Sequence, residues 1–248
     1  MCGRYCITTA PEAIRRIFRY PQQPNFPPRY NVAPTQPVPV VRVVEGEREF
    51  ALVRWGLIPA WVKDPKDFSL VINARGESVQ EKPAFKNAIR RRRCLFPADG
   101  FYEWKAEGGI KHAFFARPRD SGPMAFAGLW ETWLGPNGEE METAAIVTTQ
   151  ANREMSTVHH RAPVIVPPDQ FDFWLDPQID GPEASTLIRP APDGLMEVYE
   201  VSSAVNKVAN DTPHLIAPGT TEPPPERATA PRPSRRKAEA DTGQGSLF

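Results

Sequence analysis

Apolar and polar positions alternate in many short runs along this chain, and few runs show a helical period. Alternation with Val, Ile, Phe and Trp predicts strands over residues 38–44, 50–55, 70–73, 94–96, 100–105, 112–116, 124–129, 144–148 and 196–201. Glycine and proline punctuate the gaps, as turns require. Helical spacing is rarer. Thr9 with Glu12 three residues on reads as a capping box, and Ile14, Ile17 and Phe18 then supply one apolar face. Further short helices are expected over 82–91, 152–158 and 168–175. Many short strands with few peripheral helices predict an α+β fold, a single β-rich, barrel-like domain.

Proline changes this picture in two places. The chain has 29 prolines in 248 residues, against an average near 5%. One cluster, residues 21–39, holds Tyr30, Asn31 and Val32 and leads into a strong strand, so it reads as an ordered extended loop. The other, residues 217–248, carries six prolines and five Lys or Arg residues, with almost nothing apolar before its end. It cannot bury enough surface to offset its ordering entropy and is expected to be a disordered tail behind a domain of residues 2–216.

Composition then excludes several classes. At 40% hydrophobic residues the chain can build a core. Thirty basic against thirty acidic residues give a net charge of zero, which argues against a bulk polyanion binder and leaves room for a local basic groove. No apolar stretch approaches the ~20 residues of a membrane span, and the first residues lack a secretory core, so a cytoplasmic protein without a membrane partner is expected. Cys2, Cys6 and Cys94 are too few for a disulfide framework, and no CxxC or HxxxH spacing suggests a metal; neither metal nor cofactor is expected. With no repeat, heptad or interface stripe, the expected state is a monomer.

Five features could carry chemistry, each with a plainer reading beside it. Removal of Met1 would give Cys2 a free α-amine next to its thiol. That amine ionises near pH 7.7–8.0 (approximate reference values), well below lysine, so far more of it than of a lysine is neutral and nucleophilic near neutrality. A 1,2-aminothiol condenses with an aldehyde to an imine, which the thiol then closes into a thiazolidine; Cys2 could equally be an incidental small residue. Asn73 and Arg75, two apart on a strand end, face one side and could hold a phosphate or sugar oxygen, or merely finish a surface strand. Glu103 lies between Tyr102 and Trp104, where burial would raise its pKa toward acid–base use and Trp104 could stack on a base; a solvated Glu on an amphipathic strand is the alternative. The pair His159-His160 and the run Arg90-Arg91-Arg92-Arg93 complete the set, the latter either a solvated basic face or a phosphate anchor.

Taken together and in order, these segments resemble one family. Met1-Cys-Gly-Arg-Tyr5, Arg29-Tyr-Asn-Val-Ala-Pro-Thr35, Arg54-Trp-Gly-Leu-Ile-Pro59, Ile72-Asn-Ala-Arg75, the run Arg92 to Trp104, Val158-His-His-Arg-Ala-Pro163 and Val201-Ser-Ser-Ala-Val-Asn206 are similar to the SRAP family, the SOS-response-associated peptidases or abasic-site-processing proteins. The resemblance spans about residues 2–216. It implies a single-stranded-DNA groove and covalent capture of abasic sites by Cys2 as a thiazolidine crosslink. It makes Asn73 a positioning residue, Glu103 a proton shuttle, and His159 an aid to sugar-ring opening and crosslink reversal. Arg4 and Arg75 would hold flanking phosphates, Trp104 would pack near the lesion, and Trp61 would be a further stacking residue. Weak lyase activity and self-removal of Met1 would accompany capture. His160 stands where variation or an acidic residue is expected.

The last residues, Gln244-Gly245-Ser246-Leu247-Phe248, resemble the pentapeptide that binds the bacterial sliding clamp. Gln244, Leu247 and Phe248 would fill the clamp's apolar pocket and tether the domain at replicating DNA. Three other readings stay open: a noncovalent single-strand binder, a peptidase acting on other proteins, and a glutamine amidotransferase with an N-terminal cysteine.

Overall fold

A long strand, β10 (Glu140–Gln150), organises the molecule, whose computed structural model describes residues 2–219. Its first half pairs parallel with β4 (Glu47–Trp55) on one edge and antiparallel with β9 (Met124–Leu134) on the other. β4 continues to β3 (Pro37–Val44), β3 to β6 (Arg93–Ala98), and β6 back to β9. The five strands therefore close into a barrel, which leaves no free edge among them. Gly128 on β9 permits the closure, because a Cβ there would lie 2.4 Å from the Phe96 ring and 2.8 Å from Cys94 Sγ.

Beyond the barrel, the second half of β10 takes new partners. Ile146–Thr148 pair parallel with β5 (Asn73–Arg75), and Thr148–Gln150 pair antiparallel with β11 (Arg161–Pro163). β12 (Ile165–Val166) returns to β9. A second sheet runs in the order β13 (Met196–Val201), β8 (Ile110–Pro118), β7 (Gly100–Glu107), β1 (Arg4–Ile7), β2 (Arg29–Val32). It packs on the barrel through aromatic edges: Tyr5 against Trp55 at 5.3 Å and Phe101 against Phe126 at 5.8 Å between ring centroids. Such pairs contribute about 0.5–1.5 kcal/mol beyond their buried area.

The helices are short. α1 is Pro11–Phe18, α2 Ala88–Arg91, α3 Arg153–Ser156, α4 Phe171–Leu175 and α5 Gly181–Ala184. The expected capping box does not form. Ala10 is the N-cap of α1, Pro11 occupies its first turn, Thr9 bonds the Asp99 carboxylate instead, and Glu12 pairs with Arg15 at 2.9 Å. The helix expected over 82–91 shrinks to α2, because Pro83 supplies no N–H and the preceding residues run as turns. That expected over 168–175 is a 3₁₀ turn, Pro168–Gln170, followed by α4. The strand expected over 70–73 sits later, at β5, where β10 offers an edge; Val71 makes only a bridge to Leu57. The stretch read as an extended loop over 21–39 contains β2 and the first residues of β3.

Arg93 overturns any reading of the four arginines as one solvated face. Its side chain is buried and donates to the carbonyls of Ile89, Arg90, Trp174, Asp176 and Ile179. It welds α2 to the end of α4. Among the described residues no helix is long and apolar enough to cross a membrane. Residues 244–248, and with them the clamp-binding expectation for Gln244, Leu247 and Phe248, lie outside the described residues, as does nearly all of the expected tail.

Candidate functional site

β1 lies between β7 and β2, with Arg4 opposite Tyr102 and Tyr5 opposite Phe101. Continuing that register sets Glu103 alongside the residues just before Arg4. Cys2 is fully buried in the cluster that joins sheet and barrel. The Asn73 side chain, on β5, donates from Nδ2 to the Cys2 carbonyl at 2.9 Å. The pairing of β5 with β10 thus fixes the position of the chain's second residue. Burial pushes the Cys2 thiol far up, and the Glu103 carboxylate pushes it further. Glu103 is itself only 3% exposed, and burial raises its pKa. The thiol and the carboxyl that adds to its cost of ionisation share one pocket, and burial favours the protonated form of both.

The histidine pair closes another side. Asn152 caps α3 by accepting from the Met155 N–H at 3.1 Å, and the His159 N–H returns to the Met155 carbonyl at 2.9 Å. His159 Nδ1 accepts from the Arg161 N–H at 2.9 Å. The neutral ring is then the Nε2–H tautomer, and burial holds its pKa below the usual histidine value. The His160 ring stacks on His159 at 4.4 Å. The charge of His160 also acts on Glu103, lowering the carboxyl's pKa against the burial effect.

The cationic and aromatic candidates surround this centre unequally. Arg75 is exposed at the end of β5. Arg4 is half-buried: its Nη1 donates to Asn31 Oδ1 and the Val205 carbonyl, both at 2.9 Å, and its guanidinium lies 6.0 Å from the Trp104 ring centroid. Trp104 Nε1 donates to Asn206 Oδ1 at 2.7 Å. Trp61 stands apart from these residues, 60% exposed, with its ring edge-on to Phe68 at 5.6 Å.

Two sets of residues escaped the sequence reading. Asn31 is fully buried and donates to the carbonyls of Val205, Lys207 and Asn210, while Asp211 accepts from Arg29 Nε and from the Tyr30 and Asn31 amides. These bonds clasp residues 205–211 around β2 and Arg4. Arg161 bonds Glu77 at 2.7 Å and the Thr148 carbonyl at 2.7 Å. The buried Asn in an otherwise alternating Arg29–Val32 was the one available signal for the first set. Among the described residues, no group of three or more His, Cys, Asp or Glu side chains is placed to hold a metal.

Residues 1–208 match the family model described as SOS response associated peptidase (SRAP). The abasic site processing protein YoqW of Bacillus subtilis is 38% identical over 221 residues, covering 87% of this chain and 99% of its own. YedK of Escherichia coli, of the same description, is 32% identical, covering 88% and 100%. HMCES of Gallus gallus, again an abasic site processing protein, is 32% identical, covering 93% and 82%. A crystal structure of a protein from Bacteroides thetaiotaomicron superposes with a TM-score of 0.80 at 25% identity, over 88% of this chain and all of the other.

Proposed function

The chain belongs to the SRAP family, whose relatives are named for abasic site processing, and we propose that it captures abasic sites in single-stranded DNA through a covalent bond to Cys2. The observation that carries this reading is the buried Cys2 whose carbonyl is held by Asn73 in one pocket with a buried Glu103.

After loss of Met1, the Cys2 amine attacks the aldehyde of the ring-opened deoxyribose. The carbinolamine loses water to give an imine, and the thiol adds across C=N to close a thiazolidine; one water leaves overall. A thiol kept protonated by burial suits this order, since the amine is the first nucleophile and the S–H proton passes to nitrogen at closure. Glu103, protonated or not within its raised range, carries protons to the leaving hydroxyl and back. His159 presents Nε2–H to the sugar for ring opening and reversal. Asn73 fixes the Cys2 backbone so that amine and thiol face one carbon. Arg75 and Arg4 contact flanking phosphates, and Trp104 and Trp61 stack where no base is read, so binding is independent of sequence.

The imine also permits β-elimination, giving weak lyase activity, and Cys2 with Glu103 suits self-removal of Met1. Residues 2–216 form the functional domain, and 217–248 a tail whose Gln244, Leu247 and Phe248 bind the sliding clamp of a cytoplasmic replication machinery. The decisive experiment incubates Met1-processed protein with a single-stranded oligonucleotide bearing one abasic site, then runs a denaturing gel beside Cys2→Ala. A slow adduct confined to the wild type is expected; none, with Met1 absent by intact mass, ends the reading. Clamp pull-down lost on Leu247→Ala/Phe248→Ala tests the tail.

A further inference from the structure

The arginine run splits by role. Arg93 is consumed inside the protein, but Arg90, Arg91 and Arg92 line a cleft of about 510 Å³ together with Asn87, Gln178 and Asp180. One wall is α2 with its flanking residues, the other the segment after α4. Arg93 bonds carbonyls of both walls, Ile89 and Arg90 on one side and Asp176 and Ile179 on the other, so the cleft is preformed and rigid. The walls approach closely at Gly181, where a Cβ would lie 3.3 Å from Arg90 Cγ.

Its charge is strongly one-sided. Asp180, the carboxylate in the lining, is engaged by the Glu183 amide at 2.8 Å as the cap of α5. Arg92 pairs with Glu131 at 2.7 Å, and Arg90 and Arg91 are exposed with no ion pair among the described residues. No aromatic side chain lines the cleft, so a base would find no stacking surface there. Guanidinium forks without a stacking platform suit the oxygens of a phosphodiester backbone. The cleft lies over the β6–β9 side of the barrel, since Trp130 of β9 donates to the Arg92 carbonyl, whereas Asn73 lies on the opposite edge of β10.

We propose that this cleft is a second nucleic-acid site, separate from the Cys2 pocket, in which Arg90 and Arg91 hold backbone phosphates of the strand on which the lesion lies, without regard to sequence. This rests on the DNA-binding reading above but concerns a different surface. In a protein of zero net charge, it would supply a local electrostatic anchor that the whole molecule lacks.

The test measures binding of the full chain to an undamaged single-stranded oligonucleotide, where no crosslink can form, across a salt series. Removing one phosphate-binding cation lowers the slope of log affinity against log salt by about 0.7 for single strands. Arg90→Ser/Arg91→Ser is therefore expected to lower it by about 1.4 and to leave the crosslinking rate at saturating DNA unchanged. Arg90→Lys/Arg91→Lys, with the charge kept, is expected to restore most of the slope, which separates charge from folding. An unchanged slope in the serine variant, with normal thermal unfolding, overturns the proposal. So does inorganic phosphate that shifts the Arg90 and Arg91 resonances while the strand does not, which marks a small-anion site. If the wild type itself fails to bind the strand, the DNA-binding reading falls first, and this one with it.

Discussion

Arg161 Nη1 lies 2.7 Å from Glu77 Oε1, and this bond joins the two segments that carry Asn73 and His159. Glu77 follows β5 by two residues, and the Arg161 amide holds His159 Nδ1. Arg161 is largely buried and Glu77 half-exposed. Glu77→Gln is expected to cost under about 1 kcal/mol of stability, as for a solvated pair, yet to slow crosslink reversal several-fold and alter its pH profile through His159. Arg161 holds the Glu77 pKa below the usual range, so the bond contributes above the unfolded value near pH 4.3 and is lost as pH falls through the folded one. Identical reversal kinetics in wild type and Glu77→Gln from pH 5 to about 8 would reject this link.

Cys2→Ser separates the two bonds of capture. Its amine still forms an imine, but the hydroxyl closes a much less stable ring. We expect no gel-stable adduct without reductant and an adduct trapped by borohydride. Absence of a trapped product would mean that the amine does not attack the aldehyde.

Glu103→Gln should move stability and activity in opposite directions. Burial raises the carboxyl's folded pKa, so its stabilising contribution is present below the unfolded value near pH 4.3 and lost as pH rises through the folded one. Removing the ionisable group is expected to raise Tm at pH 7 and to change it little at pH 4. Loss of a proton shuttle typically costs ~10²–10⁴ in rate. Unaltered crosslinking by Glu103→Gln would remove it from the mechanism.

His159 titrates below the ordinary histidine range because burial disfavours its charged form. As pH falls through that value, Nδ1 gains a proton and loses the Arg161 amide as a donor. Reversal is expected to drop on acidification in the wild type and to become flat with pH, and slower, in His159→Gln. A wild-type profile that stays level as far down in pH as the protein remains folded contradicts this.

Arg93→Met tests the internal guanidinium. Five carbonyls lose their donor, and buried groups left unsatisfied cost about 1–3 kcal/mol each where water cannot reach them. A loss of at least ~3 kcal/mol in denaturant unfolding is expected, with chemistry at Cys2 spared in the fraction that folds.

How legible was all this in the chain? Strong alternation marked most of the strands, and residues 196–201 coincide with β13. The strand expected over 100–105, which carries Glu103 and Trp104, lies within β7, but the strands near the start of the chain were harder. β1 has four residues and too little pattern to stand out, and β2 lies among prolines. Leu70, Val71 and Ile72 looked like a strand, yet the pairing edge of β10 selects Asn73–Arg75 and leaves Leu70 51% exposed. Cys2, Asn73, Glu103 and His159 were named from residue type and motif order. The Asn31 clasp and the Glu77–Arg161 bond were not, because each joins residues far apart in sequence, about which local spacing carries no information. The arginine run misled for a related reason: four identical neighbours lie at the turn from a helix into a strand, which sends one side chain inward and the others out.

The clasp on Arg4 also bears on how the protein is made. Arg4 bonds the Val205 carbonyl across 201 positions of sequence, and β7, the other neighbour of β1, begins only at Gly100. A ribosome delivers the N-terminal strand first and these partners midway and late. Until β7 is made, β2 alone of the two neighbours is there to pair with β1, and Cys2, just before that strand, waits outside its finished pocket. An enzyme that trimmed Met1 would find it most accessible during that wait, before sheet and barrel close around Cys2. On the capture reading proposed above, the timing of translation would thus bear on how the Cys2 amine comes to be exposed.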